Sequence, residues 1–281
     1  MKKLRRSGRL VDMTHYLLQH PHRLISLTSF SERYQSAKSS ISEDLAIIKD
    51  IFEWQGIGTL LTIPGASGGV KYIPSVQETE AKKTIQSLCE KLSDPSRILP
   101  GDYLYMMDLL GNPRLMKEVG RLFASLFASQ NIDAILTVAT KGIPLAYAVG
   151  SYLDKPVSIA RHDHRVTEGS MVTINYVSGS TKKVQTMSLA RRSLPSGANV
   201  LIIDDFMKAG GTVRGMINLL NEFEANVAGI GVLVESEDKV KERLVDDYIS
   251  IARLAKIDPK EQLVVVEPGN YLQHFRKENG R

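Results

Sequence analysis

The 281-residue chain has little cysteine and no long apolar run, and these shortages exclude several classes of protein. Its one cysteine, Cys89, cannot form an internal disulfide or a cysteine-based metal cluster. We interpret Cys89 as a helix-packing residue in a reducing compartment. No apolar stretch is long enough to cross a bilayer, and no apolar signal segment follows the basic residues 1–6. A cytoplasmic protein without membrane contact is therefore expected.

The rest of the composition is typical of a soluble globular protein, with 43% hydrophobic and 24% charged residues. The length is sufficient for two ordinary domains, and no internal repeat is visible. The net charge of +5 is uneven, because residues 1–74 contain 10 Lys or Arg against 6 Asp or Glu, and the remainder 26 against 25. This basic excess indicates a polyanion partner such as nucleic acid, although a solvated, disordered N-terminus would have the same charge.

Helical spacing followed by two short strands predicts a winged helix-turn-helix domain in residues 1–74. The third helix has a buried stripe of Ile41, Leu45, Ile48 and Phe52 and a capping-box pattern, Ser40-Ile41-Ser42-Glu43, at its start. The predicted helices cover residues 9–19, 27–34 and 39–54, and the strands of the wing cover residues 57–63 and 70–73.

The third helix is the predicted reading element, because helix-turn-helix proteins present the N-terminal end of this helix to the major groove. A small helical domain for protein contact or dimerisation would show the same pattern, but pattern and charge together favour DNA. The expected phosphate contacts are Arg5, Arg6, Arg9, Lys38 and Lys71. The serines at the reading end of the helix are Ser39, Ser40 and Ser42.

In residues 75–281, strands and helices alternate after a connecting helix over residues 78–92, which predicts an α/β domain with a mainly parallel sheet. A polar stretch between Arg161 and Arg192 contains two alternating segments, 171–177 and 183–189, which we interpret as a long, partly mobile hairpin. The other strands are expected near residues 103–107, 134–138, 156–161, 200–203 and 227–234. The other helices are expected near residues 115–129, 143–153 and 213–223.

The most informative segment is residues 200–212. A buried-strand run ends in two adjacent carboxylates, Asp204 and Asp205, before a glycine-bearing turn and a helix. Open α/β sheets bind ligands beyond the carboxyl ends of their strands. Backbone N–H groups of residues 209–212 can wrap a phosphate at the helix N-terminus, whereas the two acids suit hydroxyls or a metal ion. A sugar phosphate meets both demands, and an ordinary strand–helix turn is the alternative.

This loop resembles the phosphoribosyl pyrophosphate (PRPP) signature of the phosphoribosyltransferase family, with four apolar residues, two acids and a turn ending in Gly-Gly-Thr. Residues 138–144 are similar to the pyrophosphate loop of that family, and residues 161–165 to its basic pyrophosphate-contacting segment. The resemblance implies a type I phosphoribosyltransferase-like domain in which Asp204 and Asp205 hold ribose hydroxyls directly or through Mg²⁺. The effector-binding residues that it implies are Tyr103, Thr140, Lys141, Gly142, Arg161, Asp204, Asp205, Phe206, Met207, Lys208, Ala209, Gly210, Gly211 and Thr212.

The loop departs from catalytic members of that family at Lys208 and Ala209, where they usually carry Thr or another small residue. Lys208 would strengthen PRPP binding, pair with a second anion or disturb turnover, unless it is an ordinary surface lysine. Tyr103 and Phe206 are candidate walls for a purine ring, with core packing as the alternative. The run His162-Asp163-His164 would suit a metal, but a third and fourth ligand are not evident.

Over nearly its full length, the chain is similar to the purine operon repressor family of Gram-positive bacteria. The similarity lies in residues 5–12, 36–45, 140–144 and the PRPP loop. It implies a homodimeric, non-enzymatic repressor that binds double-stranded operator DNA of purine synthesis genes. PRPP would weaken DNA binding, and a purine-related nucleotide, guanosine tetraphosphate (ppGpp), would compete for the same pocket. The alternatives are an active purine phosphoribosyltransferase with an accessory nucleic-acid-binding domain, and a transcriptional activator.

Overall fold

A computed structural model of the chain describes residues 4–65, 67–163, 168–177, 183–236 and 243–279. Its contacts divide the chain into two units, one of Met1–Gln77 with Tyr152–Asp154, the other of Glu78–Ser151 with Lys155–Arg281. Each unit has an apolar core of its own. Within the described ranges, no helix combines the length and the apolar character needed to cross a membrane.

The N-terminal unit contains three helices and a small antiparallel sheet, which confirms the predicted order of elements. The sheet order is β1-β3-β2. The first of these strands was not expected from the sequence, and it pairs Leu24 with Lys71. The helices are α1 (Arg6–Gln19), α2 (Leu27–Tyr34) and α3 (Lys38–Gln55), and the strands are β1 (Leu24–Ile25), β2 (Gly58–Ile63) and β3 (Gly69–Pro74).

The predicted buried stripe of α3 is confirmed, but the predicted capping box at its start is wrong. The helix begins at Lys38 after Ala37, and no described side chain caps it. Ser40 therefore lies inside the first turn, and the Ser42 hydroxyl donates to the Lys38 carbonyl at 3.0 Å. A serine inside a helix can bond back to the carbonyl four residues earlier, as Ser42 does, and this bond does not satisfy the N–H groups at the helix start.

The C-terminal unit contains a six-stranded sheet of order β13-β12-β11-β10-β6-β7, and only β13 is antiparallel to its neighbour. The predicted α/β domain with a mainly parallel sheet is confirmed. The strands are β6 (Ala134–Val138), β7 (Val157–Ala160), β10 (Asn199–Met207), β11 (Asn226–Ser236), β12 (Ile249–Asp258) and β13 (Leu263–Pro268). The longer helices are α4 (Glu78–Leu92), α6 (Pro113–Leu126), α7 (Ile143–Leu153), α8 (Gly211–Glu222) and α9 (Tyr271–Asn279).

The strand predicted near residues 103–107 does not belong to this sheet. Instead, β5 (Tyr103–Leu104) pairs antiparallel with β4 (Ile98–Leu99), and the short helix α5 (Met107–Leu110) follows. The turn between the two strands contains Gly101 and Asp102 with φ of 83° and 60°. A left-handed turn reverses the chain here, so the apolar residues form a two-stranded flap instead of a sheet strand.

The polar stretch before β10 forms the predicted hairpin, in which β8 (Met171–Val177) pairs antiparallel with β9 (Val184–Ala190). This hairpin packs on α8 through Tyr176. A Cβ added to Gly215 of α8 would lie 2.9 Å from the Tyr176 Cγ atom. The absence of a side chain at Gly215 therefore lets the hairpin approach the helix that follows the PRPP-like loop.

Candidate effector cleft and DNA-facing surface

A cleft of about 1040 Å³ opens in the C-terminal unit at the carboxyl edge of the parallel strands. One side is formed by the end of β10 and the turn into α8, and another by the β4–β5 flap. Residues 254–257 of β12, with Ser236 and Lys141, complete the lining. This is the place at which open α/β sheets bind ligands, as the sequence predicted.

The turn Ala209–Thr212, called here the phosphate turn, has the backbone of an anion cradle. Gly210 occupies the N-cap position of α8 with φ of 80°, a left-handed conformation that favours glycine. No described side chain caps this helix. The N–H groups of the first helical turn and the helix dipole therefore favour an anion at this end.

The two carboxylates before the turn are buried, with 4% of Asp204 and 7% of Asp205 exposed. The Asp205 N–H donates to Asp204 Oδ1 at 3.0 Å. Burial raises the pKa of Asp204 well above its usual value, and the neighbouring Asp205 raises it further. Burial also raises the pKa of Asp205, against the opposing effect of the Lys141 charge. A divalent cation or a set of sugar hydroxyls would offset the unfavourable burial of negative charge.

The segment after β6 approaches the carboxylates closely. A Cβ added to Gly142 would lie 3.3 Å from Asp204 Oδ1 and 2.8 Å from Thr137 Oγ1. Thr137 is fully buried, and among the described residues its hydroxyl has no hydrogen-bond partner. Lys141 lines the cleft, whereas Thr140 and Gly142 are not among the lining residues. The structure thus brings this segment and the two acids together, as the sequence predicted.

The remaining predicted effector residues are placed differently from one another. Tyr103 lines the cleft and is 62% exposed, so the core-packing alternative for this residue is wrong. Phe206 also lines the cleft and is partly buried. Arg161 is not among the lining residues, and its guanidinium pairs with Glu168. His164 and Arg165 lie outside the described residues.

One wall of the cleft was missed from the sequence. Leu254, Ala255, Lys256 and Ile257 of β12 line it, and no motif in the sequence marks this strand. The Lys256 side chain is half exposed, and its Nζ lies 3.5 Å from Asp258 Oδ2. In the part of the chain that is described, no group of three or more His, Cys, Asp or Glu residues could hold a metal ion.

Among the basic residues predicted to contact DNA, some have exposed side chains and others form ion pairs with a buried carboxylate of the N-terminal unit. Arg5 and Lys38 are exposed at the N-terminal ends of α1 and α3. Arg9 is 9% exposed, and its Nε donates to the fully buried Asp44 at 2.6 Å. Arg6 Nε donates to the same carboxylate at 2.9 Å. Arg9 is therefore occupied with protein partners, and this placement does not support its predicted phosphate contact.

The other predicted DNA-facing residues lie on α3 and β3. Ser39 and Ser42 are exposed near the N-terminal end of α3, and Ser40 is partly buried. Lys71 of β3 is partly buried and pairs in register with Leu61 of β2. The serines and Lys38 thus lie together at the end of α3 that helix-turn-helix proteins direct at DNA.

Comparison with known proteins assigns the chain to a family. The family model described as the bacterial purine repressor N-terminal domain matches residues 5–74, and the phosphoribosyl transferase domain model matches residues 107–268. A purine biosynthesis transcriptional repressor of Bacillus subtilis (strain 168) is 65% identical over 274 residues, covering 98% of this chain and 96% of the relative. The chain belongs to the bacterial purine repressor family.

Some relatives of this purine repressor family member match nearly the whole chain, and others match only about 60% of it. A purine biosynthesis transcriptional activator of Lactococcus lactis is 44% identical, with 95% of this chain and 98% of the relative covered. A xanthine phosphoribosyltransferase of Leuconostoc mesenteroides is 32% identical over 60% of this chain and 92% of its own. The solved adenine phosphoribosyltransferase of Rhodothermus marinus has a TM-score of 0.52 at 18% identity, covering 62% of this chain and 99% of its own, and shows the fold alone.

The raised pKa of Asp204 leads to a pH-dependent stability prediction. Asp204→Asn should increase the free energy of unfolding at pH 7 by about 1–3 kcal/mol, because the amide retains the acceptor oxygen without the buried charge. The gain should disappear below about pH 4, where Asp204 is protonated in both folded and unfolded chains. Above that pH the stability gain of Asp204→Asn should grow with pH, until the pH passes the raised pKa of Asp204 in the folded chain.

Urea unfolding of the full chain between pH 4 and pH 7 measures this difference. Asp246→Asn, at an exposed position of the same unit, is the control and should change stability little at any of these pH values. A stability gain for Asp204→Asn that did not vary with pH would contradict the prediction.

Proposed function

We propose that this chain represses transcription of purine biosynthesis genes by binding operator DNA, and that PRPP bound in the cleft relieves the repression. The observation that carries the proposal is the joining, in one chain, of a purine repressor N-terminal domain and a cleft in which two buried carboxylates precede a phosphate turn. Regulation of purine biosynthesis is common to the names of the Bacillus and Lactococcus relatives. We choose repression because the Bacillus relative has the higher identity.

The groups of PRPP match the chemistry of the cleft one by one. The phosphate turn would bind the 5′-phosphate through backbone N–H groups and the helix dipole. Asp204 and Asp205 would hold ribose hydroxyls, directly or through Mg²⁺. Lys141, the member of the segment after β6 that lines the cleft, would bind the pyrophosphate. A cation between the acids and the pyrophosphate would neutralise the charge that burial disfavours.

A second phosphorylated ligand would use the same features. Guanosine tetraphosphate carries phosphates for the phosphate turn and a purine ring for the wall formed by Tyr103 and Phe206. Lys208, which is exposed at the phosphate end, would add a cation for either ligand. Because both ligands need the phosphate turn, we propose that ppGpp competes with PRPP and favours the DNA-bound form.

Effector control requires two protein states that PRPP binds with different affinity. Within the C-terminal unit, the ring of Tyr176 in β8 packs against Gly215 of α8, the helix that begins at the phosphate turn. A phosphate that reordered this turn would therefore change the support of the β8–β9 hairpin. We further propose that the chain acts as a homodimer, since helix-turn-helix regulators bind paired half-sites as two-fold dimers.

A gel shift on promoter DNA of purine biosynthesis genes tests effector control directly. PRPP with Mg²⁺ should reduce the fraction of DNA bound by the unaltered chain. The double variant Asp204→Ala, Asp205→Ala should stay bound at the same PRPP concentration, because the ribose hydroxyls lose their partners. Glu267→Gln, in a half-exposed pair with Arg253, is the control and should respond like the unaltered chain. Release of the double variant at the same PRPP concentration would exclude the assigned site.

The salt dependence of DNA binding tests the DNA-facing surface. The double variant Arg5→Ala, Lys38→Ala should bind all DNA sequences more weakly. The plot of log affinity against log salt should become less steep by about two units of slope, one for each lost phosphate contact. Lys49→Ala is the control, because Lys49 lies 3.8 Å from Glu53 within α3. An unchanged slope in the double variant would show that DNA contacts a different surface.

Purine phosphoribosyl transfer is the second candidate function, and the 32% identity to a xanthine phosphoribosyltransferase favours it. Incubation of the chain with PRPP, Mg²⁺ and each purine base separates the two candidates. We expect no nucleotide to form, because Lys208 stands where the turn of catalytic members usually carries Thr or another small residue. Nucleotide formation that the Asp204→Ala, Asp205→Ala variant lacked would establish the enzyme instead.

A further inference from the structure

Glu235, near the end of β11, is a buried carboxylate that none of the proposed ligand contacts uses. Its side chain accepts hydrogen bonds from the Tyr248 hydroxyl at 2.6 Å, from the Ser250 hydroxyl at 2.8 Å and from the Arg243 guanidinium. Arg243 also donates to the Ser236 carbonyl at 3.2 Å. A carboxylate with 7% exposure is tolerated only with such partners, so this cluster fixes the residues that donate to it.

The residues fixed by Glu235 belong to a segment that contacts the phosphate turn. The Leu244 N–H donates to the Ala209 carbonyl at 3.1 Å. The buried side chain of Val245 lies against the next residue of the turn, where a Cβ added to Gly210 would be 3.5 Å from Val245 Cγ2. The segment Arg243–Tyr248 is therefore held by Glu235 at both ends and contacts the turn between them.

The far end of the same segment has a second anchor. Asn270 accepts a hydrogen bond from the Ser250 N–H at 2.8 Å and donates to the Tyr248 carbonyl at 2.9 Å. Ser250 thus links Asn270 to Glu235. With Tyr248 and Ser250 fixed from two sides, Arg243 is the donor through which Glu235 holds the start of the segment, next to Leu244.

We propose that Glu235 is a positioning residue for the phosphate turn, which it holds in its binding conformation through the segment Arg243–Tyr248. The inference rests on the proposed function, since it concerns the same ligand. A cradle of backbone N–H groups binds a phosphate well only if it is ordered before the ligand arrives. Glu235 is not among the described residues that line the cleft, although its neighbour Ser236 is. Glu235 would therefore act on the ligand through other residues.

Calorimetry on the full chain with Mg²⁺ tests this role with two probes, PRPP and inorganic pyrophosphate. Glu235→Ala should weaken PRPP binding about tenfold or more, the scale of one lost charge-assisted hydrogen bond. Pyrophosphate, which Lys141 would hold, should bind with unchanged affinity. Glu235→Gln retains an acceptor oxygen and should recover part of the loss. Glu267→Ala removes a carboxylate from a half-exposed pair and should bind PRPP normally.

Hydrogen exchange on the ligand-free chain gives a readout that does not depend on any ligand. In Glu235→Ala, amides of residues 207–213 should exchange faster, and those of residues 134–142 should not change. Tyr248→Phe removes one donor to Glu235 and should show a smaller effect in the same direction. If Glu235→Ala does not fold, hydrogen exchange in Tyr248→Phe tests the positioning role instead.

Several outcomes would overturn the positioning role. These are unchanged PRPP affinity in Glu235→Ala, equal losses for PRPP and pyrophosphate, a similar loss in Glu267→Ala, or unchanged exchange in residues 207–213. If the unaltered chain itself did not bind PRPP, the proposed function would fail. The exchange comparison would then decide the role of Glu235 by itself.

Discussion

Two adjacent carboxyl groups buried beside the phosphate turn are the constraint on which the C-terminal unit depends. Asp204 and Asp205 are nearly inaccessible to solvent, and the burial of two adjacent carboxyl groups is unfavourable. The close approach of Gly142 and the charge of Lys141 shape the space around them. A ligand that supplied hydroxyls or a cation to the acids and a phosphate to the turn would relieve this constraint.

The support of the phosphate turn comes from residues far away in sequence. The flap β4–β5 and strand β12 provide walls, and Glu235 holds the segment that contacts Ala209 and Gly210. The hairpin β8–β9 supports the helix after the turn, because Tyr176 packs against Gly215 of α8. The turn thus receives contacts from several strands and loops. A chain that kept the pattern of residues 200–212 and lost these contacts would have the motif without the same support for the turn.

Much of the fold could be predicted because local patterns and tertiary packing agree. The spacing of apolar residues gave α2, α4 and α7 with the bounds that the structure has, and the acids with the glycine-bearing turn located the cleft. The strands β12 and β13 were missed although the turn residues Asp258-Pro259 and Pro268-Gly269 mark their ends. No ligand motif lies in them, and β12 is buried through its pairing with β11, which is distant in sequence. The flap was mistaken for a sheet strand since its apolar residues alone do not reveal a left-handed turn at Gly101 and Asp102.

The roles of individual charged residues could not be read from the sequence, because they depend on non-local partners. Arg9 was assigned to DNA from the basic cluster, yet Asp44, which lies 35 positions further along the chain, accepts its hydrogen bond. The function of Glu235 is hidden for the same reason, since its donors come from the loop after β11 and from β12. A sequence motif shows where a ligand can bind, whereas ion pairs between distant segments become visible only in three dimensions.

The pairing of Arg6 and Arg9 with Asp44 affects how much positive charge the chain has available for binding a polyanion such as DNA. Arg6 and Arg9 share one buried carboxylate, so part of the positive charge counted near the N-terminus is neutralised inside the protein. The number of counterions displaced from a duplex will accordingly be smaller than the number of basic residues in this segment. The same ion cluster joins α1 to α3, so the orientation of these two helices relative to each other depends on a buried ion pair.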